Sequence, residues 1–272
     1  MKLGIIGSPV SHSLSPWIHT FIGNALNMPV IYTRLDTSLS ALPERLKELA
    51  AGEYRGVNVT APLKTRTAAL LLESGLEIPD TGSVNTIRFD AHRIDGCTNT
   101  DILGFEFLFG TAQAHSIAIL GAGGVLPSVL SVLERVEVPH VVVYNRSVPK
   151  SQVAHAQINR NPQWMRCELS RFLTESKAYD MVINCLPAFA QDHLVKLDGD
   201  TFKPDCQFVD LNYGSPSNRT RATILDCEIA YRDGLPMLVK QAVASFEFWT
   251  ERAVPRFVFD ELMAHIPEIQ PG

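Results

Sequence analysis

Lys64, which follows "NVTAPL", and Asp101, which follows "TNT", are two ionisable residues set among turns of uncharged hydrogen-bonding side chains. Ser13 and Ser15, Asn58 and Thr60, Asn85 and Thr86, and Asn99 and Thr100 each fall at the end of an expected strand. Strand ends are where ligands gather in open α/β folds. Singly, each of these residues is accounted for as a cap or turn former, and the lysine with the aspartate as a surface ion pair. Their recurrence is what a binding site would explain. A lysine beside a carboxylate can handle the proton of a hydroxyl group, which is half of an alcohol–ketone interconversion.

The other half needs a hydride carrier, and the segment "ILGAGGVLPSV" is where one would sit. Gly121, Ala122, Gly123 and Gly124 lie between an apolar strand and a helix, where backbone amides and the helix N-terminus can hold a pyrophosphate. Such a turn also occurs as a plain tight connection, so the next strand decides. A fold specific for NAD puts an acidic residue at the end of "VVVY" to hold the ribose hydroxyls; this chain has Asn145, Arg146, Ser147 and Lys150. Two cations and a hydroxyl suit a 2′-phosphate, so the cofactor expected is NADP, with NAD second.

The elements that must position these residues follow from periodicity. Short β-rich runs, "KLGII", "VIYTRL" and "YRGVNV", alternate with helices beginning near Pro16 and Leu42, the pattern of a parallel sheet with crossover helices. Ser15 before Pro16 reads as a capping serine followed by a proline in the first helical turn. "SVNTIRFDAHRIDGCTNT" reads as an antiparallel hairpin turning at "DAHR" on the sheet edge. A helix "DILGFEFLFG" leads to a second unit of strands, "SIAIL", "HVVVYN", "YDMVIN" and "CQFVDL". The closing segments "MLVKQAVASFEFWTERA" and "RFVFDELMAHI" are helical with no strand to feed and are expected to return to the first lobe. The predicted fold is therefore α/β with two lobes: an N-terminal mixed-sheet domain, residues 1–101 joined by 238–272, and a Rossmann-type parallel-sheet domain, residues 102–237. The aromatic runs "FEFLF" and "FEFW" have helical packing spacing, and His12 is read as capping or solvent-facing.

Composition bounds the partners. The 272 residues are 46% hydrophobic and 19% charged with a net charge of -5, which offers no basic field for nucleic acid or an anionic membrane. The five cysteines are scattered and show no metal-ligand spacing with histidines or acids, so no metal is expected and the thiols read as reduced. No apolar run is long enough for a secretory signal or a membrane span, and a cytoplasmic protein is expected. It would act on a small molecule as a monomer or a homodimer.

"GSPVSHSLSPWIH", "GVNVTAPLK", "GSVNTI", "TNTDILGF", "LGAGGV", "NRSVPK" and "DGLPMLVKQAVASFEFW", in this order and across nearly the whole chain, resemble the shikimate dehydrogenase family. The resemblance implies that the first lobe binds shikimate or 3-dehydroshikimate, that the glycine-rich lobe binds NADP(H), and that the site lies in the cleft between them. It implies that Ser13 and Ser15 hold the substrate carboxylate, that Thr60, Asn85, Tyr213 and Gln241 bind its hydroxyls or carboxylate, and that Lys64 and Asp101 are the catalytic pair. Gly234 and Met237 join the glycine turn and the basic segment on the cofactor side.

The chain departs from the family on that same side. Leu126 and Pro127 stand where a small residue and an arginine are usual, "CLPAFAQD" carries Phe189 and Ala190 at a wall expected beside the nicotinamide, and Pro236 replaces a glycine before Met237. Leu126 is expected to press the helix from its strand, and the missing arginine to remove a cation near the phosphates. Two further readings therefore stand beside the dehydrogenase: a paralogue acting on quinate, an aminoshikimate or a related hydroxy acid, and a weakly catalytic shikimate-binding sensor.

Overall fold

A computed structural model of the chain describes residues 1–266 apart from 147–151, 176–177, 188–189, 192–193 and 195–196. The chain forms two compact units, Met1–Gly104 with Leu238–Gly272, and Phe105–Met237.

In the first unit, β1 (Lys2–Gly7), α1 (Ser15–Ala25), β2 (Ile31–Asp36), α2 (Leu42–Ala51), β3 (Tyr54–Val59) and α3 (Lys64–Glu73) alternate before the pair β4 (Thr86–Asp90) and β5 (Arg93–Thr98). The sheet runs in the order β2-β1-β3-β4-β5. β1 pairs parallel with β2 and β3, whereas β4 is antiparallel to β3 and to β5. Ala91 and His92 turn the hairpin with φ of 47° and 61°, left-handed values that match the twist of paired strands. Pro16 and Pro43 fall in the first turns of α1 and α2, where a missing N–H costs nothing. The reading of Ser15 as a helix cap is corrected: Leu14 holds that position, Ser15 is the first helical residue, and Ser13 Oγ accepts the Ser15 N–H at 3.2 Å. The helix thus starts with Ser15 and Pro16 both inside its first turn.

α4 (Asp101–Phe109) follows β5, and the chain returns to the first unit through α9 (Leu235–Thr250) and α10 (Arg256–His265). α9 is tied to the sheet by Trp249, whose Nε1 donates to Ile87 O at 2.9 Å, and by Arg55 Nε, which donates to Trp249 O at 2.9 Å. Phe246 and Trp249 are wholly buried, as helical spacing predicts for an apolar stripe. In "FEFLF", Phe105 and Phe109 are buried while Phe107 faces outward.

The second unit contains β6 (Ser116–Leu120), α5 (Leu126–Arg135), β7 (His140–Asn145), α6 (Gln152–Arg160), β8 (Trp164–Glu168), α7 (Leu169–Glu175), β9 (Met181–Asn184), β10 (Gln207–Asp210), α8 (Asn218–Asp226) and β11 (Ala230–Arg232). Its strands lie in the order β11-β10-β9-β6-β7-β8, and every pairing is parallel. Counted from β6, that is the order 3-2-1-4-5-6 of a dinucleotide-binding fold. The central strands read as continuous apolar runs because both faces are covered. β8 and β11 were not legible as strands: β8 is an edge with mostly exposed side chains, and β11 has three residues. Among the described residues, no helix is long and apolar enough to cross a membrane and no cluster of histidine, cysteine or acids could hold a metal ion.

Candidate active site

Lys64 opens α3 and Asp101 opens α4, each directly after a strand-end turn. Their side chains meet with Lys64 Nζ 2.5 Å from Asp101 Oδ2, and they are only 16% and 7% exposed. The pair is therefore not the solvated surface bridge that two such residues usually form. A charge pair held this far from water is stable only if further hydrogen bonds satisfy it.

Asn85 supplies one, donating from Nδ2 to Asp101 Oδ1 at 2.8 Å and to Thr100 Oγ1 at 2.9 Å. Its own carbonyl accepts the Thr100 backbone N–H at 2.8 Å, which fixes which end of the amide points at the carboxylate. Both ends of Asn85 are thus engaged within the protein, and its contribution in this arrangement is to hold Asp101. Asn99 caps the same turn, its Oδ1 accepting the Asp101 N–H at 3.2 Å and its Nδ2 donating to Thr81 Oγ1 at 3.1 Å.

Farther along the strand ends, Asn58 Oδ1 accepts from Tyr32 Oη at 2.7 Å and from His19 Nε2 at 3.1 Å. Asn58 Nδ2 faces Ser245 Oγ at 3.1 Å, Thr86 Oγ1 at 3.3 Å and the Asn85 carbonyl at 3.4 Å. Arg34 donates to the Ser13 carbonyl at 2.7 Å. Burial holds the His19 imidazole neutral, its pKa pushed down to about 3. Its ring stacks on Tyr32 at 4.9 Å. Thr60 is half-buried at the C-terminal end of β3, and Gln241, on α9 one turn before Ser245, donates to Leu238 O at 2.9 Å. His12 is exposed. The structure thus links Lys64, Asp101, Asn85 and Asn58 through one polar network whose further members, His19, Tyr32 and Ser245, periodicity alone reads as helix and strand packing. The recurring Asn and Thr at strand ends were the available signal for Asn58 and Thr86.

In the second unit, Gly121 has φ of 99°, and a Cβ there would lie 3.1 Å from the Cys185 backbone. Only glycine makes this turn comfortably. At Gly123 a Cβ would meet nothing within 4 Å, so the turn is open in front of α5. Leu126 and Pro127 are buried in the first turn of α5. Asn145 and Arg146, at the end of β7, line an open groove of about 720 Å³ with Trp164, Arg166 and Glu168. Ser147, Lys150 and Phe189 lie outside the described residues. Met237 is buried. A Cβ on Gly234 would fall 2.3 Å from Leu211 O, so close backbone packing is what demands glycine there. Tyr213 is half-buried, and burial raises its pKa. Its turn is held by Asp210, a residue absent from the sequence reading, which accepts Asn184 Nδ2 at 3.0 Å, Asn212 Nδ2 at 2.8 Å and Tyr231 Oη at 3.1 Å.

A parallel-sheet unit of dinucleotide-binding topology, joined to a mixed-sheet unit that buries a lysine–carboxylate pair among amides and hydroxyls, defines a two-domain α/β oxidoreductase. Sequence models of the shikimate dehydrogenase substrate binding domain and of the shikimate 5′-dehydrogenase C-terminal domain match residues 5–87 and 234–258. The chain is 29% identical over 253 residues to shikimate dehydrogenase (NADP(+)) of Methylobacillus flagellatus, covering 91% of this chain and 93% of that one. The enzyme of the same name from Herminiimonas arsenicoxydans is 29% identical over 97% and 98% of the two chains. Shikimate 5-dehydrogenase from Thermus thermophilus, solved in complex with NADP(H) and shikimate, superposes with a TM-score of 0.76 at 29% identity over 97% of this chain and 99% of that one. Over nearly its whole length the chain is thus similar to members of the shikimate dehydrogenase family.

Proposed function

We propose that the protein catalyses the reversible NADP-dependent reduction of 3-dehydroshikimate to shikimate, a step of aromatic amino-acid biosynthesis. The observation that carries this reading is the buried contact of Lys64 with Asp101, 2.5 Å long and buttressed by Asn85. The first unit, with residues 238–272, takes the substrate, and residues 102–237 take the cofactor. The relatives named for NADP and the Thermus thermophilus complex with NADP(H) and shikimate support the assignment.

The residues of the second unit fit the cofactor. The turn of Gly121, Ala122, Gly123 and Gly124 before α5 is open at Gly123, where backbone N–H groups and the helix start can face a pyrophosphate. Neutral Asn145 with Arg146, where an acidic residue would repel a 2′-phosphate, favours NADP over NAD. When bound, NADPH supplies the hydride for the ketone carbon, and NADP+ takes it back in the oxidising direction.

The chain's own work is proton handling and orientation. In the reducing direction Lys64 Nζ donates a proton to the oxygen that becomes the hydroxyl, and in the oxidising direction the amine takes it back. Asp101 accepts from Lys64 Nζ through Oδ2 and from Asn85 through Oδ1, so the ammonium stays aimed and the carboxylate is left as an acceptor for the substrate hydroxyl. Ser13 and Ser15, at the start of α1, offer hydroxyls and the positive end of a helix to the substrate carboxylate. Thr60 and Gln241 are assigned to the remaining polar groups of the ring.

A cytoplasmic location fits the five free thiols of Cys97, Cys167, Cys185, Cys206 and Cys227. The reading is tested by Lys64→Ala assayed with shikimate and NADP: turnover should fall far more than shikimate affinity, and undiminished turnover would refute the mechanism.

A further inference from the structure

The Asp101 carboxylate ends a series of donors that begins at a strand the substrate does not touch in the reading above. Tyr32 Oη donates to Asn58 Oδ1 at 2.7 Å, Asn58 Nδ2 to Thr86 Oγ1 at 3.3 Å, Thr86 Oγ1 to Asn85 Oδ1 at 2.9 Å, and Asn85 Nδ2 to Asp101 Oδ1 at 2.8 Å. Two backbone groups fix the direction. The Thr100 N–H bonds Asn85 Oδ1, and the Asn85 carbonyl faces Asn58 Nδ2, so neither amide can be reversed without setting like against like. Asn58, Thr86, Asn85 and Asp101 are all at least nine-tenths buried. Hydrogen bonds aligned head to tail in a medium of low dielectric strengthen one another. Ser245 of α9 closes the series from the side: with the Thr86 proton committed to Asn85, Ser245 Oγ donates to Thr86 Oγ1 at 2.8 Å, accepts from Asn58 Nδ2 at 3.1 Å and lies 3.0 Å from Thr100 Oγ1.

We infer that Thr86 is a positioning residue for the reaction: its hydroxyl, joining Asn58 to Asn85, keeps the Asn85 amide aimed at Asp101 and thereby keeps Asp101 and Lys64 in register. This rests on the reading of Lys64 and Asp101 as the proton-handling pair. A residue that merely filled space would be replaced without loss by valine, which has the same shape and no hydroxyl, and serine would be the poorer substitute. A positioning hydroxyl predicts the reverse order.

The test compares Thr86→Val and Thr86→Ser in steady-state oxidation of shikimate by NADP. Thr86→Val should lower kcat about tenfold with the KM for NADP within about twofold, and Thr86→Ser should restore kcat to within about threefold of the parent. A Thr86→Val enzyme with the parent kcat, or a serine variant as slow as the valine one, overturns the inference. If Thr86→Val does not fold, Tyr32→Phe removes the leading donor at a half-buried position; it should lower kcat at unchanged KM for NADP, and the parent kcat would overturn the proposal. Lys64→Ala run in parallel separates the two levels. An inactive Lys64→Ala beside an unaffected Thr86→Val refutes this inference alone, whereas an active Lys64→Ala refutes the reading of the pair on which it rests.

Discussion

Removing the Lys64 ammonium leaves Asp101 with the Asn85 amide but without the group that moves the proton. Turnover of Lys64→Ala is therefore expected to drop by about 10² to 10⁴-fold, with the KM for shikimate changed by less than about fivefold. A second effect lies in His19. Its folded pKa of about 3 lies below the ordinary 6.5, so between these values the unfolded chain takes up a proton that the folded chain refuses. Stability is thus lost as pH falls below 6.5, with a slope of up to about 1.4 kcal/mol per pH unit from this group. Urea unfolding at pH 7, 6 and 5 should show His19→Gln losing less stability per pH unit than the parent; equal slopes would contradict the assignment. Lys64, Asp101 and Asn85, which the structure brings into contact, could be singled out because polar residues interrupt otherwise apolar strand ends. Tyr32, His19 and Ser245 were not, since a tyrosine in a strand and a serine in an apolar helix carry no mark of the partners that tertiary packing brings.

Helix α9 depends on a glycine in the strand beneath it. A Cβ on Gly56 would fall 2.2 Å from two ring atoms of Trp249, which is itself wholly buried. Gly56→Ala should therefore force the indole out of register and cost about 3 kcal/mol, lowering Tm by about 6 °C or more in a thermal melt. A melt unchanged within about 1 °C would show that the ring yields freely. The major strands and helices could be drawn from alternation and from Pro16, because burial of one face imposes the period. β8 escaped because an exposed edge strand keeps no apolar face, and the start of α1 was misplaced because Ser13, Ser15 and Pro16 compete to begin the same helix.

For the whole chain, the two-unit α/β architecture followed from the alternation of elements and from the glycine turn, whereas the strand order β11-β10-β9-β6-β7-β8 did not, since pairing between distant strands leaves no local pattern. Arg146→Ala should raise the KM for NADP about tenfold and leave that for NAD unchanged, because an arginine that reads a 2′-phosphate has nothing to bind in NAD. Equal effects on both would remove Arg146 from that role. Leu126 and Pro127 bury into the first turn of α5 without blocking the open side of the glycine turn at Gly123, so productive cofactor use is expected despite the departures from the family pattern. The most direct measurement follows nicotinamide reduction with shikimate or quinate, each paired with NADP or NAD. Rapid reduction with shikimate and NADP, and far slower reduction with the other three pairs, is the result predicted; no reduction with any pair, in protein that still binds shikimate, would contradict the account.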